Sequence, residues 1–251
     1  MGTMIRQSMR RTFLSKRFFV ALFGTVAMCY FCAREFLDPN CSSVYVIDVM
    51  LNLGLLKKVL VFFAAAPAVT LYCQDQNSGF IHSIVVRSGI KKYTRSSLLA
   101  CGLSGFASLF LGLFLFFGIL SIFCPVMPYE VGGIYDGIAR SLPILYTFIE
   151  ISIFSLYCTM WTMVGFALSS VIPNPYVALG SPLIFGYLFE ELTSDLPTYL
   201  NLYRLSHCEN VFSKSAATDY LYTMGVFLLV AVISGVMFSY FAERRNRNEM
   251  V

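Results

Sequence analysis

The sequence predicts an all-α membrane protein with six transmembrane helices, and three observations support this prediction. Hydrophobic residues make up 57% of the 251 residues and charged residues only 13%, whereas about a quarter of a soluble domain is charged. The apolar residues stand in long blocks, unlike the short amphipathic periods of a soluble core. Basic residues are concentrated in alternate segments between these blocks. We therefore expect residues 1–251 to form a single transmembrane domain.

A basic amphipathic helix is expected at residues 4–17. Ile5, Met9 and Phe13 fall at helical spacing, and arginines and lysines surround them. This pattern is typical of a helix that lies on an anionic membrane surface.

Six apolar blocks follow, and their limits predict the spans. The spans are expected at residues 18–36, 53–72, 98–124, 141–172, 176–189 and 220–241. Lys57 and Lys58 lie near the outer end of the second span, and we expect both to extend to the membrane surface. Pro67 lies inside that span. Pro173 and Pro175 enforce a turn between the fourth and fifth spans, because neither residue can continue a helix.

The distribution of basic residues predicts the topology. Twelve of the 18 lysines and arginines fall in the N-terminal helix, in residues 75–95 and after the last span. The other six fall in the alternate segments or, for Arg34, Lys57 and Lys58, near the ends of the spans that adjoin them. The alternate segments, of which residues 190–219 are the longest, also hold most of the acidic residues. Because basic loops stay in the cytoplasm, we expect a multi-pass protein of the cell membrane with both termini cytoplasmic.

A short cytoplasmic helix is expected within residues 75–95. If it begins near Ser78, it places four apolar side chains on one face: Phe80, Ile81, Ile84 and Val85. Gly89 is expected to end this helix in the left-handed conformation. Two interpretations follow, a helix that offers its apolar face to another protein and an ordinary helix that lies among lipid headgroups.

Sequence motifs for catalysis are weak. The chain has no phosphate-binding loop of the Gly-x-x-x-x-Gly-Lys-Ser/Thr type, so we do not expect it to hydrolyse nucleotides. Ser104 lies in a Gly-Leu-Ser-Gly motif that resembles that of rhomboid proteases, but His82 and His207 both fall outside the spans. Packing of small residues explains the motif better. We expect no enzymatic activity, no bound cofactor and no metal site in this chain.

Glu150 is the most unusual residue of the spans, because an unpaired charge in a membrane is costly. One interpretation is a site in a translocation path or a proton relay. The other is a protonated or hydrogen-bonded glutamate that holds helices together, and we favour it because no basic residue is expected at the same depth. The eight cysteines lack metal-site spacing, and we expect free apolar thiols.

The segment Ser78-Gly-Phe-Ile-His-Ser-Ile-Val-Val-Arg87-Ser-Gly-Ile-Lys-Lys-Tyr93 closely resembles the first cytoplasmic loop of type-2 ATP-binding-cassette (ABC) permeases of Firmicutes. The order of a basic N-terminal helix, six spans, a long outer segment before the last span and a basic tail is also similar. In that family this loop is the coupling helix, which fits a cleft in a separate ATPase subunit.

The resemblance implies roles for seven residues and several partners. Phe80, Ile81, Ile84 and Val85 would dock on the ATPase or brace the helix, and Arg87, Lys91 and Lys92 would contact the ATPase or lipid. A second permease chain, identical or a sister, would complete the transporter, and the ATPase would bind ATP and Mg. We expect no nucleic-acid partner.

The expected function is therefore that of a permease subunit of an ABC exporter. Its substrate would be amphiphilic, such as an antimicrobial peptide, a drug or a lipid. The alternative is a non-transporting membrane sensor or scaffold subunit of an ABC-type complex.

Overall fold

The computed structural model describes residues 2–36, 41–208, 211 and 215–249, and every regular element within them is a helix. Residues 37–40, which follow the first expected span, and part of segment 190–219 lie outside the described residues. In chain order the helices are α1 (Gly2–Phe13), α2 (Lys16–Ala33), α3 (Ser43–Asn52), α4 (Gly54–Ala65), α5 (Leu71–Asn77), α6 (Phe80–Ser88), α7 (Ile90–Phe123), α8 (Asp136–Ser141), α9 (Pro143–Val171), α10 (Pro175–Leu192), α11 (Leu202–Ser206) and α12 (Ala216–Glu249).

Four helices of the described chain are long and apolar enough to cross a membrane, namely α2, α7, α9 and α12. The prediction of an all-helical fold is confirmed for the described residues, and these four helices fit the predicted membrane class. Burial divides them into two kinds, since 89% of the most apolar stretch of α9 is buried and only 28–39% of the corresponding stretches of the other three. Helix α9 is therefore the centre of the bundle, and the other three helices turn most of their apolar surface outward.

The second expected span, residues 53–72, is not one continuous helix. Helix α4 ends at Ala65, a turn contains Pro67, and α5 begins at Leu71. Proline removes a backbone N–H, and its ring clashes with the carbonyl one turn earlier, which explains the break.

The fifth expected span corresponds to α10, which has 18 residues but is less apolar than the four long helices. It packs closely on α9 at Gly165. A Cβ atom added there would lie 2.6 Å from the Pro182 Cγ and 3.0 Å from the Ala178 carbonyl oxygen. A glycine is therefore what allows the two backbones to approach.

The expected short helix is present as α6, and glycines with positive φ bound it on both sides. Gly79 has φ 68° and Gly89 has φ 80°. Gly89 differs from the expected left-handed helical conformation because its ψ of 145° is extended, so the chain turns sharply from α6 into α7. Helix α7 begins at Ile90, well before the expected start of the third span at residue 98.

Both described ends of the chain lie at the same end of the bundle. Met4 packs against a cluster of buried residues that includes Tyr93, Ala178 and Ala242. We call this the basic end, because the segments that hold most lysines and arginines meet there. Helices α3, α8 and α11 belong to the opposite end, where Val44, Ala139 and Leu205 share a second cluster.

Candidate functional site

The apolar residues of α6 do not share one free face. Ile81 is only 1% exposed and packs into the core of the basic end, while Phe80 is 52% exposed. Ile84 and Val85 are half-buried and contact the same core. Of the two roles that the resemblance implies, docking and bracing, Ile81 therefore fits bracing, because it packs α6 against the bundle.

The residue that sequence reasoning missed in α6 is Val86, which is 83% exposed. Arg87, Lys91 and Lys92 are exposed beside it. The surface of this segment thus combines two exposed apolar side chains, Phe80 and Val86, with basic residues. Such a surface suits a partner that offers an apolar cleft with acidic groups at its edge.

Asp75, which lies in α5 just before α6, joins three helices of the basic end. Its carboxylate is buried and accepts two hydrogen bonds from the Arg11 guanidinium, at 2.7 and 3.0 Å, and a third from the Tyr93 hydroxyl at 2.8 Å. The hydrogen bond to Asp75 raises the pKa of Arg11. Bidentate pairs of this kind hold both partners in one geometry. The Arg11 guanidinium also lies 6.0 Å from the centre of the Phe80 ring, so α1, α5, α6 and α7 are joined around one carboxylate.

A cavity of about 420 Å³ lies between α1, α6 and α7. Gln7, Arg11, Ser83 and Arg87 contribute polar groups to its lining, and Phe80 lies at its edge. This cavity has room for a side chain of a docked partner beside the exposed Phe80 ring.

Lys57 forms the second charged cluster, at the other end of the bundle. We expected its ammonium group to extend to the membrane surface, but the side chain is only 3% exposed. Its Nζ lies 2.5 Å from the Glu190 Oε1, donates to the Ser206 hydroxyl at 2.7 Å and lies 3.4 Å from the His207 Nε2. All three ammonium protons thus have acceptors, and the expectation is wrong because partners within the protein replace water.

Aromatic rings enclose the same ammonium group. The ring centres of Tyr157 and Tyr203 lie 4.6 and 4.7 Å from the Lys57 Nζ. The Tyr157 hydroxyl donates to Glu190 at 2.7 Å. The cluster therefore joins α4, α9, α10 and α11 through a fully partnered ion pair, and we call it the lysine cluster (Lys57, Tyr157, Glu190, Ser206 and His207).

His207 is neutral in the lysine cluster. Burial and the nearby Lys57 charge lower the pKa of His207 to about 3. A neutral imidazole presents Nε2 as an acceptor, which matches its position next to the ammonium group. The partner of His207 is thus Lys57 and not Ser104.

Glu150 lies in a third cluster and is only 2% exposed. Its carboxyl group is hydrogen-bonded to Asp48 of α3, and we call these two residues the acid pair. Its second oxygen, Oε2, has no hydrogen-bond partner, and the buried hydroxyl of Tyr146 one turn earlier has none either. The expected absence of a nearby basic residue agrees with the described ion pairs, but the acidic partner was not foreseen.

Ser104 lies in a tight helix contact. Its hydroxyl is buried and donates to the Cys101 carbonyl oxygen of its own helix at 3.3 Å. A Cβ atom on neighbouring Gly105 would lie 3.1 Å from the Ala64 carbonyl oxygen of α4. These distances favour the packing interpretation of the motif. All eight cysteines lie among the described residues, and none of them forms a disulfide.

No protein-family model, curated protein or solved structure matches this chain. Among the described residues, no group of three or more His, Cys, Asp or Glu side chains is arranged to hold a metal ion. The structure therefore contains three candidate sites. They are helix α6 with its exposed apolar and basic surface, the lysine cluster with its buried ion pair, and the acid pair, which is able to hold a proton.

Proposed function

We propose that this chain is the permease subunit of an ABC exporter, in which a separate ATPase drives the movement of an amphiphilic substrate across the cell membrane. The observation that carries the proposal is the geometry of α6. This helix of nine residues is anchored by Ile81, lies between segments that Asp75 joins, and exposes Phe80, Val86 and a basic edge.

Anchoring matters because a coupling helix has to transmit motion. Gly79 and Gly89 separate α6 from its neighbours, while Ile81 packs into the basic end and Asp75 holds Arg11 and Tyr93. A force on Phe80 therefore reaches α1 and α7 as a rigid displacement. Closure of an ATPase pair would then shift the permease between two arrangements, since packed helices move as bodies.

The proposal includes six crossings. Helices α2, α7, α9 and α12 provide four, the broken pair α4 and α5 provides another, and α10 provides the last. The basic end would face the cytoplasm with both termini, because twelve of 18 basic residues belong to it. Helix α1 would lie on the anionic membrane surface. ATP and Mg would bind to the ATPase, and a second permease chain, identical or a sister, would complete the assembly.

A groove of about 850 Å³ between α7 and α12 supports an amphiphilic substrate. Leu156, Thr159 and Met163 of α9 form its floor, while Lys91 and Arg95 lie at the basic end. The groove thus offers a long apolar surface that ends in two basic residues and the acidic Glu243, which matches a molecule with an apolar body and a polar head. A sensor or scaffold that moves no substrate has no need of such a groove.

Co-purification of the tagged chain from its native cells in mild detergent tests the proposal. We expect a cassette ATPase to accompany the wild-type chain and to be lost, more than tenfold, from Phe80→Asp and Val86→Asp variants. Tyr176→Asp is the matched control, because Tyr176 is 86% exposed at the start of α10. A chain that is recovered without an ATPase, or an ATPase retained by both α6 variants, would contradict the proposal. Retained ATPase with no substrate-stimulated hydrolysis would favour the scaffold.

A further inference from the structure

The acid pair brings two carboxyl groups into direct hydrogen-bond contact. Asp48 belongs to α3 and Glu150 to α9, and each is the hydrogen-bond partner of the other. An ionised carboxylate can only accept hydrogen bonds. Two ionised carboxylates therefore cannot form this contact, and one proton has to lie between them, as in other close carboxyl pairs.

The groups that surround the acid pair supply no positive charge. Tyr146 lies one turn earlier in α9, Tyr129 lies in the segment after α7, and Cys208 follows α11, and each interacts electrostatically with the pair. Asn52 donates a long hydrogen bond of 3.4 Å to the Asp48 Oδ1. None of these neighbours is cationic, and no described lysine or arginine forms an ion pair with either acid. A proton is therefore the cation that neutralises one charge of the pair.

Two unpartnered polar atoms mark the site as more than a helix contact. The Glu150 Oε2 and the Tyr146 hydroxyl are both buried and have no hydrogen-bond partner, although Tyr146 interacts electrostatically with both carboxyls. Buried polar groups in proteins are nearly always hydrogen-bonded, so an exception beside a carboxyl pair calls for an explanation. When the shared proton leaves, Glu150 gains a full negative charge, and the Tyr146 hydroxyl is the donor placed to receive it.

A metal ion suits the site poorly. The described residues contain no group of three His, Cys, Asp or Glu side chains arranged as ligands, and the acid pair provides two. The unpartnered hydroxyl is a neutral donor, which serves a carboxylate better than it serves a dication.

We propose that the acid pair is a proton-binding site, in which Asp48 and Glu150 hold one proton in common near neutral pH and release it to solvent under alkaline conditions. Release breaks the O–H bond and gives the proton to water or hydroxide through Asp48, which is the half-buried member of the pair. The pair then carries two negative charges, and their repulsion separates α3 from α9. This inference does not rest on the proposed transport function.

Infrared spectroscopy of the purified full-length protein tests the site, because a protonated carboxyl group has its own carbonyl band, which shifts in heavy water. We expect the wild-type protein to keep about one protonated carboxyl per chain at neutral pH and to lose it on alkaline titration. The band should be absent from Glu150→Gln, whereas in Asp48→Asn the buried Glu150 should stay protonated at neutral pH and release its proton at a lower pH than the pair does. Glu191→Gln removes an exposed acid of α10 and should leave the band unchanged.

The outcomes separate the alternatives even if a variant fails to fold. Size-exclusion chromatography identifies misfolded variants, and the titration of the wild-type protein stands without them. Absence of the band from the wild-type protein at neutral pH would overturn the proposal, and so would its persistence in Glu150→Gln or an unchanged titration in Asp48→Asn. Loss of the band on addition of sodium at constant pH would show a site for a monovalent cation and would also overturn it.

Discussion

The lysine cluster and the acid pair are both buried charged sites that α9 helps to form, but they satisfy their charges in opposite ways. Lys57 has three acceptors and two aromatic rings around one ammonium group. Glu150 has a partner of its own sign and one oxygen with no partner. A fully partnered charge stabilises one arrangement of helices, whereas a like-charged pair depends on a proton that can leave. The first site is suited to holding helices α4, α9, α10 and α11 together, and the second to changing with conditions.

Removal of the Lys57 charge should have a larger effect than any other single substitution in the two clusters. Lys57→Met leaves the Glu190 carboxylate without a cation. Removing one partner of a buried ion pair lowers the free energy of unfolding by about 3–5 kcal/mol. We expect a large fall in the midpoint of thermal unfolding in detergent. Lys58→Met is the matched control, because Lys58 is exposed and its Nζ lies over the Tyr187 ring, 4.4 Å from the ring centre. Equal effects of the two substitutions would contradict a fully partnered lysine cluster.

The double substitution Lys57→Met with Glu190→Gln sharpens the same comparison. The second change removes the charge that the first leaves unpaired, so the double variant should be more stable than Lys57→Met alone. Thermal unfolding of the four proteins of the cycle measures the coupling. Additive losses would show that the two residues act independently.

Two tyrosines of α9 allow a matched test of one hydroxyl each. Tyr157→Phe removes the hydrogen bond to the Glu190 carboxylate, and we expect a loss of about 1.5–3 kcal/mol. Tyr146→Phe removes a hydroxyl that has no partner, and we expect no loss or a small gain in stability. The two unfolding midpoints measure the difference. A larger loss from Tyr146→Phe would show that its hydroxyl is bound.

His207 should contribute to the pH dependence of stability. Its pKa is about 3 in the folded protein and about 6.5 in an unfolded chain, so the unfolded chain binds more protons between these values. Stability should therefore fall as pH is lowered from about 6.5 toward 3. His207→Gln keeps an acceptor for Lys57 and should reduce this slope. An unchanged slope would place the titrating group elsewhere.

Glu150→Gln should have the smallest effect at neutral pH and a growing one under alkaline conditions. Glutamine keeps the shape of the protonated acid, so the variant should fold and match the wild-type protein near neutrality. Loss of the shared proton leaves two negative charges in the wild-type pair but only one in the variant, so repulsion between α3 and α9 arises only in the wild-type protein. The variant should thus be the more stable protein at alkaline pH. Collapse of its folding at neutral pH would instead show that the Glu150 charge is structural.

The sequence predicted the helical fold, the membrane class and the existence of α6, because these follow from local patterns of apolar residues and glycine. It could not divide the second span correctly, since the break depends on how the chain packs around Pro67. The face of α6 was predicted from periodicity alone, and periodicity does not say which of Ile81 and Val86 the bundle covers. Contact with the core of the basic end decides this.

Neither the lysine cluster nor the acid pair could be predicted from the sequence, and the reason is the same for both. Lys57 finds its partners in α10 and α11, and Glu150 finds Asp48 in α3, so each contact joins residues that are far apart in the chain. The sequence did single out Glu150 as costly in a membrane. A basic partner would offset the cost of burying the Glu150 charge, and a second carboxyl that shares a proton with Glu150 offsets it as well.

The central claim is that α6 is the contact site for an ATPase, and photo-crosslinking in native cells tests it most directly. A photoreactive amino acid at position 80 or 86 should yield a covalent product with a cassette ATPase, identified by mass spectrometry. The same amino acid at position 176 in α10, where the wild-type side chain is more exposed than at either α6 position, should not. Products with lipid alone from positions 80 and 86, or the same products from all three positions, would contradict the claim.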